Sequence, residues 1–315
     1  MRVKILGSAA GGGFPQWNCA CRNCSGVRSG GVRANPRLQT QVAISHNGKW
    51  WCLLNASPDL RSQILNSPEL HPREGQGTRD SPIASVVITG ADVDQVAGLL
   101  HLREFQPLQI YATESVRGIL TEENPIFRAL QQAPNQATWR ELPANQEFQL
   151  DCGDQPSNGF KCESISIAGD FPAYAGGITG STVARARNSN QAVLGLILHS
   201  ASGKKLAYLP NVAKLEDSWL PLLDACHTLL FDGTFWDDDE LIRIRGEGKS
   251  AREMGHIPIS GPEGSLKRLA GLTHPRKIYI HVNNTNPILD EDSSERQQVA
   301  AAGSEIAEDG WDFEL

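Results

Sequence analysis

The chain has no apolar run long enough to span a bilayer and no cluster of basic residues. A membrane-spanning helix needs about 20 consecutive apolar residues, so membrane insertion is not expected. Nucleic acid and anionic surfaces are held by grouped Lys and Arg. With a net charge of −7 and no such group, neither is an expected partner. The first residues, Met1-Arg2-Val3-Lys4-Ile5-Leu6, read as a strand and not as the apolar core of an export signal, so a cytoplasmic protein is expected. There is no Gly-x-Ser-x-Gly elbow, which leaves a serine hydrolase without support. The glycine loop at 7–13 lacks the Gly-Lys-Ser/Thr ending of a phosphate loop and the spacing of a dinucleotide fingerprint. It reads as a close backbone approach or a lid. Linkers, repeats and low-complexity stretches are absent too. The 315 residues, 40% of them hydrophobic, therefore read as one domain over 1–315.

Cysteine is sparse and odd in number: seven residues, three of them in Cys19-Ala20-Cys21-Arg22-Asn23-Cys24. Without an export signal, metal binding is a better reading of this crowding than disulfides. Three soft sulfurs on one bend suit a tetrahedral zinc ion with one further ligand. A zinc-binding loop over about residues 15–30, set apart from any catalytic pocket, is the expectation. Cys52, Cys152, Cys162 and Cys226 are scattered and read as filling residues.

Strand-like runs recur at 3–6, 40–44, 51–55, 83–89, 109–111, 192–199, 205–209, 228–231 and 277–282. Helical patterns are expected at 57–65, with Ser57 as cap and Pro58 at the first position, and at 93–102, 260–269 and 293–302. The hairpin 40–55, turning at Asn47-Gly48, argues against a purely parallel doubly wound sheet. Polar stretches at 184–190 and 246–252 read as loops. The acidic run Asp237-Asp238-Asp239-Glu240 reads as solvated surface or a helix start.

Three further stretches could carry chemistry. After the apolar strand 86–89 come Asp92 and Asp94, two carboxylates at i and i+2. They could be hard ligands for Fe, Mn or Mg, or they could merely cap the helix that follows. His256 lies in Met254-Gly255-His256-Ile257-Pro258. His281 ends an apolar strand and opens the polar loop Val282-Asn283-Asn284-Thr285-Asn286-Pro287, a position where ligands sit in α/β folds.

Several motifs together resemble the pyrroloquinoline quinone (PQQ) biosynthesis protein B family. They are Leu6-Gly-Ser-Ala-Ala-Gly-Gly-Gly13, Pro15-Gln-Trp-Asn-Cys19, Asn55-Ala-Ser-Pro-Asp59, Phe231-Asp-Gly-Thr234, Met254-Gly-His256 and His281-Val-Asn-Asn-Thr-Asn-Pro287. The resemblance runs over essentially the whole chain. It implies an α/β metallo-β-lactamase-like fold, an αββα sandwich of two mixed sheets flanked by helices. In that superfamily a His-x-His-x-Asp-His loop follows the strand at 83–89. Here the loop is Gly90-Ala91-Asp92-Val93-Asp94-Gln95, so the usual dizinc hydrolase centre lacks its imidazoles. The family keeps a histidine where this chain has Gln95, whose oxygen ligates a transition metal more weakly or holds a water.

What the resemblance implies chemically is iron-dependent hydroxylation of a tyrosine ring in a Glu-Tyr-derived precursor of PQQ. The iron ligands would be Asp92, Asp94 and His281. His256, with Asp94, would be catalytic, His256 as proton donor and acceptor or as an orienting group. Asn283, Asn284 and Asn286 would hold substrate carboxylates or anchor their loop. A soluble carrier of PQQ or its precursor is the alternative, and a metal-dependent hydrolase the weakest. The same family implies a structural zinc on Cys19, Cys21 and Cys24. Its fourth-ligand position falls on Asn284, a poor zinc ligand, with Asp290 as the alternative. The assembly is open between a monomer and a homodimer.

Overall fold

One strand serves two cores. In Val193–His199, Leu194, Leu196 and Leu198 pack into one apolar cluster, while Val193 and Ile197 pack into another. Successive side chains of a strand point to opposite faces. A strand buried on both faces reads as a continuous apolar run, and this one does.

The computed structural model describes residues 1–134, 136–153, 159–176 and 188–315. Of the loop expected at 184–190, residues 184–187 lie outside this set. The first sheet holds β1 (Arg2–Gly7), β2 (Gln41–Ser45), β3 (Trp51–Leu54), β4 (Ile83–Val87), β5 (Leu108–Ala112) and β6 (Ala137–Glu141). The second holds β7 (Glu147–Leu150), β8 (Phe160–Ile167), β9 (Val193–His199), β10 (Lys205–Leu209), β11 (Thr228–Asp232), β12 (Arg276–Ile280) and β13 (Ser304–Ile306). The C-terminal β14 (Asp312–Glu314) returns to the first sheet beside β1, so the orders are β14-β1-β2-β3-β4-β5-β6 and β13-β12-β11-β10-β9-β8-β7. Both sheets are mixed. Strands β3 to β6 run parallel, as do β10 to β13, and the remaining pairs are antiparallel.

Three apolar clusters give the layers. Ile5, Val42, Leu54 and Val87 of the first sheet meet Leu196, Tyr208, Leu230 and Ile280 of the second. Outside the first sheet, Leu53, Val86 and Ile110 pack on Leu60, Leu99 and Ile119. Outside the second, Ala207, Leu229 and Tyr279 pack on Leu223, Leu269 and Val299. This is the αββα sandwich that the resemblance implied. Cys52, Cys152, Cys162 and Cys226 are buried free thiols, as expected of filling residues.

Helix 294–301 forms where its pattern indicated, with the Ser293 hydroxyl accepting from the Arg296 N–H. Two others are cut short by tertiary contacts. The run 93–102 is α-helical only over Val93–Val96 and tightens to a 3₁₀ turn over Ala97–Leu102. Gly98 is pressed against the chain at 56–57: its N–H donates to the Ala56 carbonyl at 2.8 Å, and a Cβ there would stand 2.2 Å from the Ser57 oxygen. The run 260–269 keeps only Ser265–Arg268, because the Ser260 N–H donates to the Trp236 carbonyl at 2.8 Å and the chain then turns at Gly261 with φ 88°. Strands β6, β7, β8, β13 and β14 escaped the sequence reading. They lie at or beside a sheet edge, where one face meets solvent and the apolar signal fades.

The parallel strands β3, β4, β10, β11 and β12 carry the functional residues in the loops just past their C-terminal ends. That is where ligands bind in open α/β sheets. Bridges from Ala9 to Gln39 and to Val282 bring the glycine loop after β1 to the same edge.

Candidate metal centre and cavity

At this edge the loops enclose a cavity of about 1030 Å³, lined by Asp92, Asp94, His256 and His281 among others. Two carboxylates from the loop after β4 thus meet a histidine from the end of β12. His281 Nε2 stands 3.0 Å from Asp94 Oδ2, although the residues are 187 apart in the chain. Gly11 brings the glycine loop against them, since a Cβ there would lie 3.3 Å from Asp94 Oδ2. A close backbone approach is therefore what this loop provides. Asp92 is the N-cap residue of the helix Val93–Val96 but its side chain makes no capping bond. The capping alternative for Asp92 is set aside on that ground.

Asp232 and Thr234 organise the histidines. Both oxygens of Asp232 are occupied: Oδ1 accepts from the Thr234 N–H at 3.0 Å and hydroxyl at 2.6 Å, and Oδ2 from the Val212 N–H at 2.8 Å. Oδ2 also pairs with His256 Nδ1 at 2.7 Å. Having given its one proton to Asp232, the Thr234 hydroxyl can only accept from a ring nitrogen. Its contact with His281 Nδ1 at 2.8 Å therefore puts the proton on that nitrogen. His256 likewise carries its proton on Nδ1. Both rings, stacked with centroids 5.3 Å apart, keep Nε2 for other partners.

It follows that the lone pair of His281 Nε2 faces a carboxylate oxygen at 3.0 Å. Two acceptors do not sit at that distance unless a proton or a cation lies between them. Ligand atoms so spaced can each reach a first-row metal at about 2.1 Å. Asp92 adds a half-buried carboxylate with no side-chain hydrogen bond among the described residues. Its carboxyl is pushed up to about 6, first by burial and then by the charge of Asp94. Burial also pushes Asp94 up, but the hydrogen bond and charge of His281, with the charge of His256, outweigh it and hold this carboxyl below its ordinary value. For His256, burial opposes the charged ring, and the charge and hydrogen bond of Asp232 override it, raising the group. The donor set fits a hard or borderline cation.

Asp232, His256 and His281 also place one ligand atom each within 4.8 Å of one another. Asp232 is nevertheless 0% exposed and has every oxygen engaged, so it orients His256 and leaves the cation to the cavity-facing groups.

The three thiols of Cys19, Cys21 and Cys24 also lie within 4.8 Å of one another. The side-chain amide of Asn284 points into the trio, its nitrogen 3.1 Å from Cys19 Sγ, 3.3 Å from Cys24 Sγ and 3.7 Å from Cys21 Sγ. Oxygen and nitrogen of such an amide are assigned by their surroundings. Turned over, the same group presents Oδ1 at the fourth vertex. Burial raises both Cys19 and Cys21. In Cys19 it is outweighed by the Cys21 N–H, the neighbouring thiols and the Asn284 amide, leaving that thiol below its usual value, while Cys21 rises to about 11.

Several expectations change here. The cysteine loop is not set apart from the pocket, because Cys19 and Cys21 form part of the cavity wall. Asp290 is no fourth ligand: its carboxylate is paired with Arg22 at 3.1 Å and accepts from the Asp292 N–H. Gln95 does not reach the cavity. Its Oε1 is buried without a partner against Gly90, 2.4 Å from where a Cβ on that glycine would stand. Asn286 is no substrate ligand, being 0% exposed and donating to the carbonyls of Gly233 and Thr234. Asn284 is committed to the thiols. Asn283 lines the cavity as Asn284 does, and its amide donates one N–H to Thr285 Oγ1 at 2.6 Å. Of the two readings of the acidic run, the helix start holds: Asp239 is the N-cap residue of the helix Glu240–Arg245, and Glu240 is buried at 3% exposed.

The sequence reading quoted Asp232 and Thr234 within a motif but gave them no role, and it missed Asn211, which lines the cavity with a buried, unpartnered Oδ1. The Asp232-Gly233-Thr234 turn at the end of an apolar strand was the available signal.

The fold and the ligand-bearing loops place the chain in the β-lactamase superfamily: residues 50–282 match the family model described as "Beta-lactamase superfamily domain". More narrowly, the chain belongs to the coenzyme PQQ synthesis protein B family. It is 42% identical to that protein from Nitrosococcus oceani and 43% to that from Ruegeria pomeroyi, over 100% of each chain. The crystal structure of Zn(2+)-bound PqqB from Methylobacterium extorquens superposes with a TM-score of 0.88 at 39% identity, covering 100% of both chains. Among the described residues no helix is long and apolar enough to cross a membrane.

Proposed function

We propose that the chain acts in PQQ synthesis as an iron-dependent hydroxylase of the tyrosine ring in a Glu-Tyr-derived precursor. The observation that carries this reading is the facing of His281 Nε2 and Asp94 Oδ2 across 3.0 Å, with Asp92 beside them. Asp92, Asp94 and His281 would hold the iron. Three protein ligands on one side leave positions open, which is how non-haem Fe(II) oxygenases admit O₂ and substrate together. The family's zinc would sit on Cys19, Cys21 and Cys24, with Asn284 completing the tetrahedron.

The chain's own groups do the rest. Asp232 and Thr234 fix the tautomers of both rings, so His256 offers Nε2 to the cavity as a proton acceptor or donor. The stacked rings and the Gly11 approach close one side of the site to solvent. A cavity of about 1030 Å³ has room for a dipeptide.

The test is direct. Purified protein given Fe(II), O₂, a two-electron reductant such as ascorbate and Glu-Tyr is expected to yield a catechol one oxygen heavier, seen by mass spectrometry, with the second oxygen atom of O₂ leaving as water. Bound iron with no catechol would reject the hydroxylase. Tight binding of PQQ without turnover would favour the carrier.

A further inference from the structure

The cavity-facing carboxylates cannot hold an anionic substrate, and in the Asn283–Asn286 loop only Asn283 keeps a spare amide N–H for one. Asp92 and Asp94 repel it, and the amides of Asn284 and Asn286 are engaged elsewhere. Another part of the wall supplies a full positive charge. In the helix Glu240–Arg245, Leu241, Ile244 and Arg245 all line the cavity. The spacing i, i+3, i+4 puts them on one helix face. Arg245 is the only Lys or Arg among the described lining residues. Its neighbour Arg243 is paired with Asp237 at 2.5 Å and with Asp239 at 3.3 Å. Arg245 makes no ion pair or hydrogen bond among the described residues. The wall continues in Phe235 and Met254.

We infer that Arg245 is the specificity residue of this cavity, and that it selects an aromatic substrate bearing a free carboxylate. The inference rests on the substrate class proposed above and assigns its recognition. A guanidinium forks onto a carboxylate through two parallel N–H bonds. With the carboxylate on Arg245, an aromatic ring would lie along Leu241, Ile244 and Met254. Arg245 thus lines the same cavity as the metal groups without touching them. It is a positioning residue, not a reacting one.

The helix is solvated at this end, so Arg245→Gln is expected to fold. Binding is read by calorimetry under argon, with the protein's metals in place, using Glu-Tyr and its bis-amide as probes. Wild type is expected to bind the acid at least tenfold more tightly than the bis-amide, with the acid alone weakened by salt. Arg245→Gln is expected to lose about tenfold to hundredfold for the acid and nothing for the amide. Arg245→Lys should recover part of the loss. Metal content should not change. The inference is overturned if wild type shows no preference for the acid, if it binds neither probe, or if Arg245→Gln keeps the preference. The two readings fail separately. Lost preference with no catechol in air sinks the hydroxylase and leaves Arg245 its role, whereas catechol formed equally from acid and amide does the reverse.

Discussion

Thr234 gives its one hydroxyl proton to Asp232 across 2.6 Å, and that bond decides the protonation of the rings beside it. The oxygen left behind can only accept, so His281 carries hydrogen on Nδ1 and turns a lone pair toward Asp94. A turn of three residues at the end of β11 thereby sets the tautomer of a histidine at the end of β12. The two strands are parallel neighbours, with Asp232 opposite Ile280, so the contact follows from the sheet register.

Thr234→Val keeps the shape and removes the hydroxyl. His281 then loses the bond that holds its ring and tautomer, while the Asp232–His256 pair remains. Cavity metal affinity should fall about tenfold or more. Zinc on the cysteine trio should be retained. Metal titration followed by elemental analysis reads both, and unchanged affinity at the cavity would remove Thr234 from its orienting role.

Asn284→Asp is nearly isosteric and exchanges a poor zinc ligand for a good one. Zinc affinity should rise by tenfold or more. The metal-free protein should become less stable, because a carboxylate would replace an amide that contacts all three thiols. Chelator competition and thermal melts with and without zinc check the two signs. A variant that loses zinc would take residue 284 out of the coordination shell.

Gln95→Met removes a buried acceptor that has no partner while keeping the side chain's length. Stability should increase by about 1 kcal/mol. Metal content should stay the same, because residue 95 packs on Gly90 behind the ligand loop. Denaturant unfolding and metal analysis decide; a drop in cavity metal would show that this side chain does reach the ion.

Glu240 offers a pH signature. Burial, with the charge of Asp237, outweighs its hydrogen bonds from Thr285 and the Trp236 N–H and pushes the carboxyl from 4.5 up to about 7. Between those values the folded chain holds a proton that the unfolded chain has released, so stability falls as pH rises through the window. The full effect is on the order of 3 kcal/mol. Glu240→Gln, which cannot titrate, should flatten the pH dependence of stability between about 4.5 and 7. Parallel slopes for the two proteins would mean that Glu240 ionises normally.

Much of this molecule is readable in short stretches of its chain. The hairpin at Asn47-Gly48 forms because Gly48 takes φ 73° and Asn47 Oδ1 accepts from the Lys49 N–H. The runs that became β9 and β11 are apolar because both their faces are covered. The cysteine trio is legible for the same kind of reason, since its three thiols are brought together by a bend and one turn of helix. Helix 93–102 was misjudged because its second half yields to a contact with residues 56–57, far away in sequence.

Roles inside the site belong to the tertiary structure. Asn283, Asn284 and Asn286 look alike along the chain, yet the first lines the cavity, the second turns its amide to the thiols at the cavity wall, and the third is buried on the backbone of another loop. Their depth and partners separate them, and neither is encoded locally. The same holds for Arg245, an ordinary helix-terminal arginine until the fold sets it in the wall of the cavity that two carboxylates also line. Residue type and spacing determined which groups could bind a cation or an anion. Which of them do so was decided when parallel strands brought their ends to one edge, because only there does burial strip some groups of water and leave others without partners.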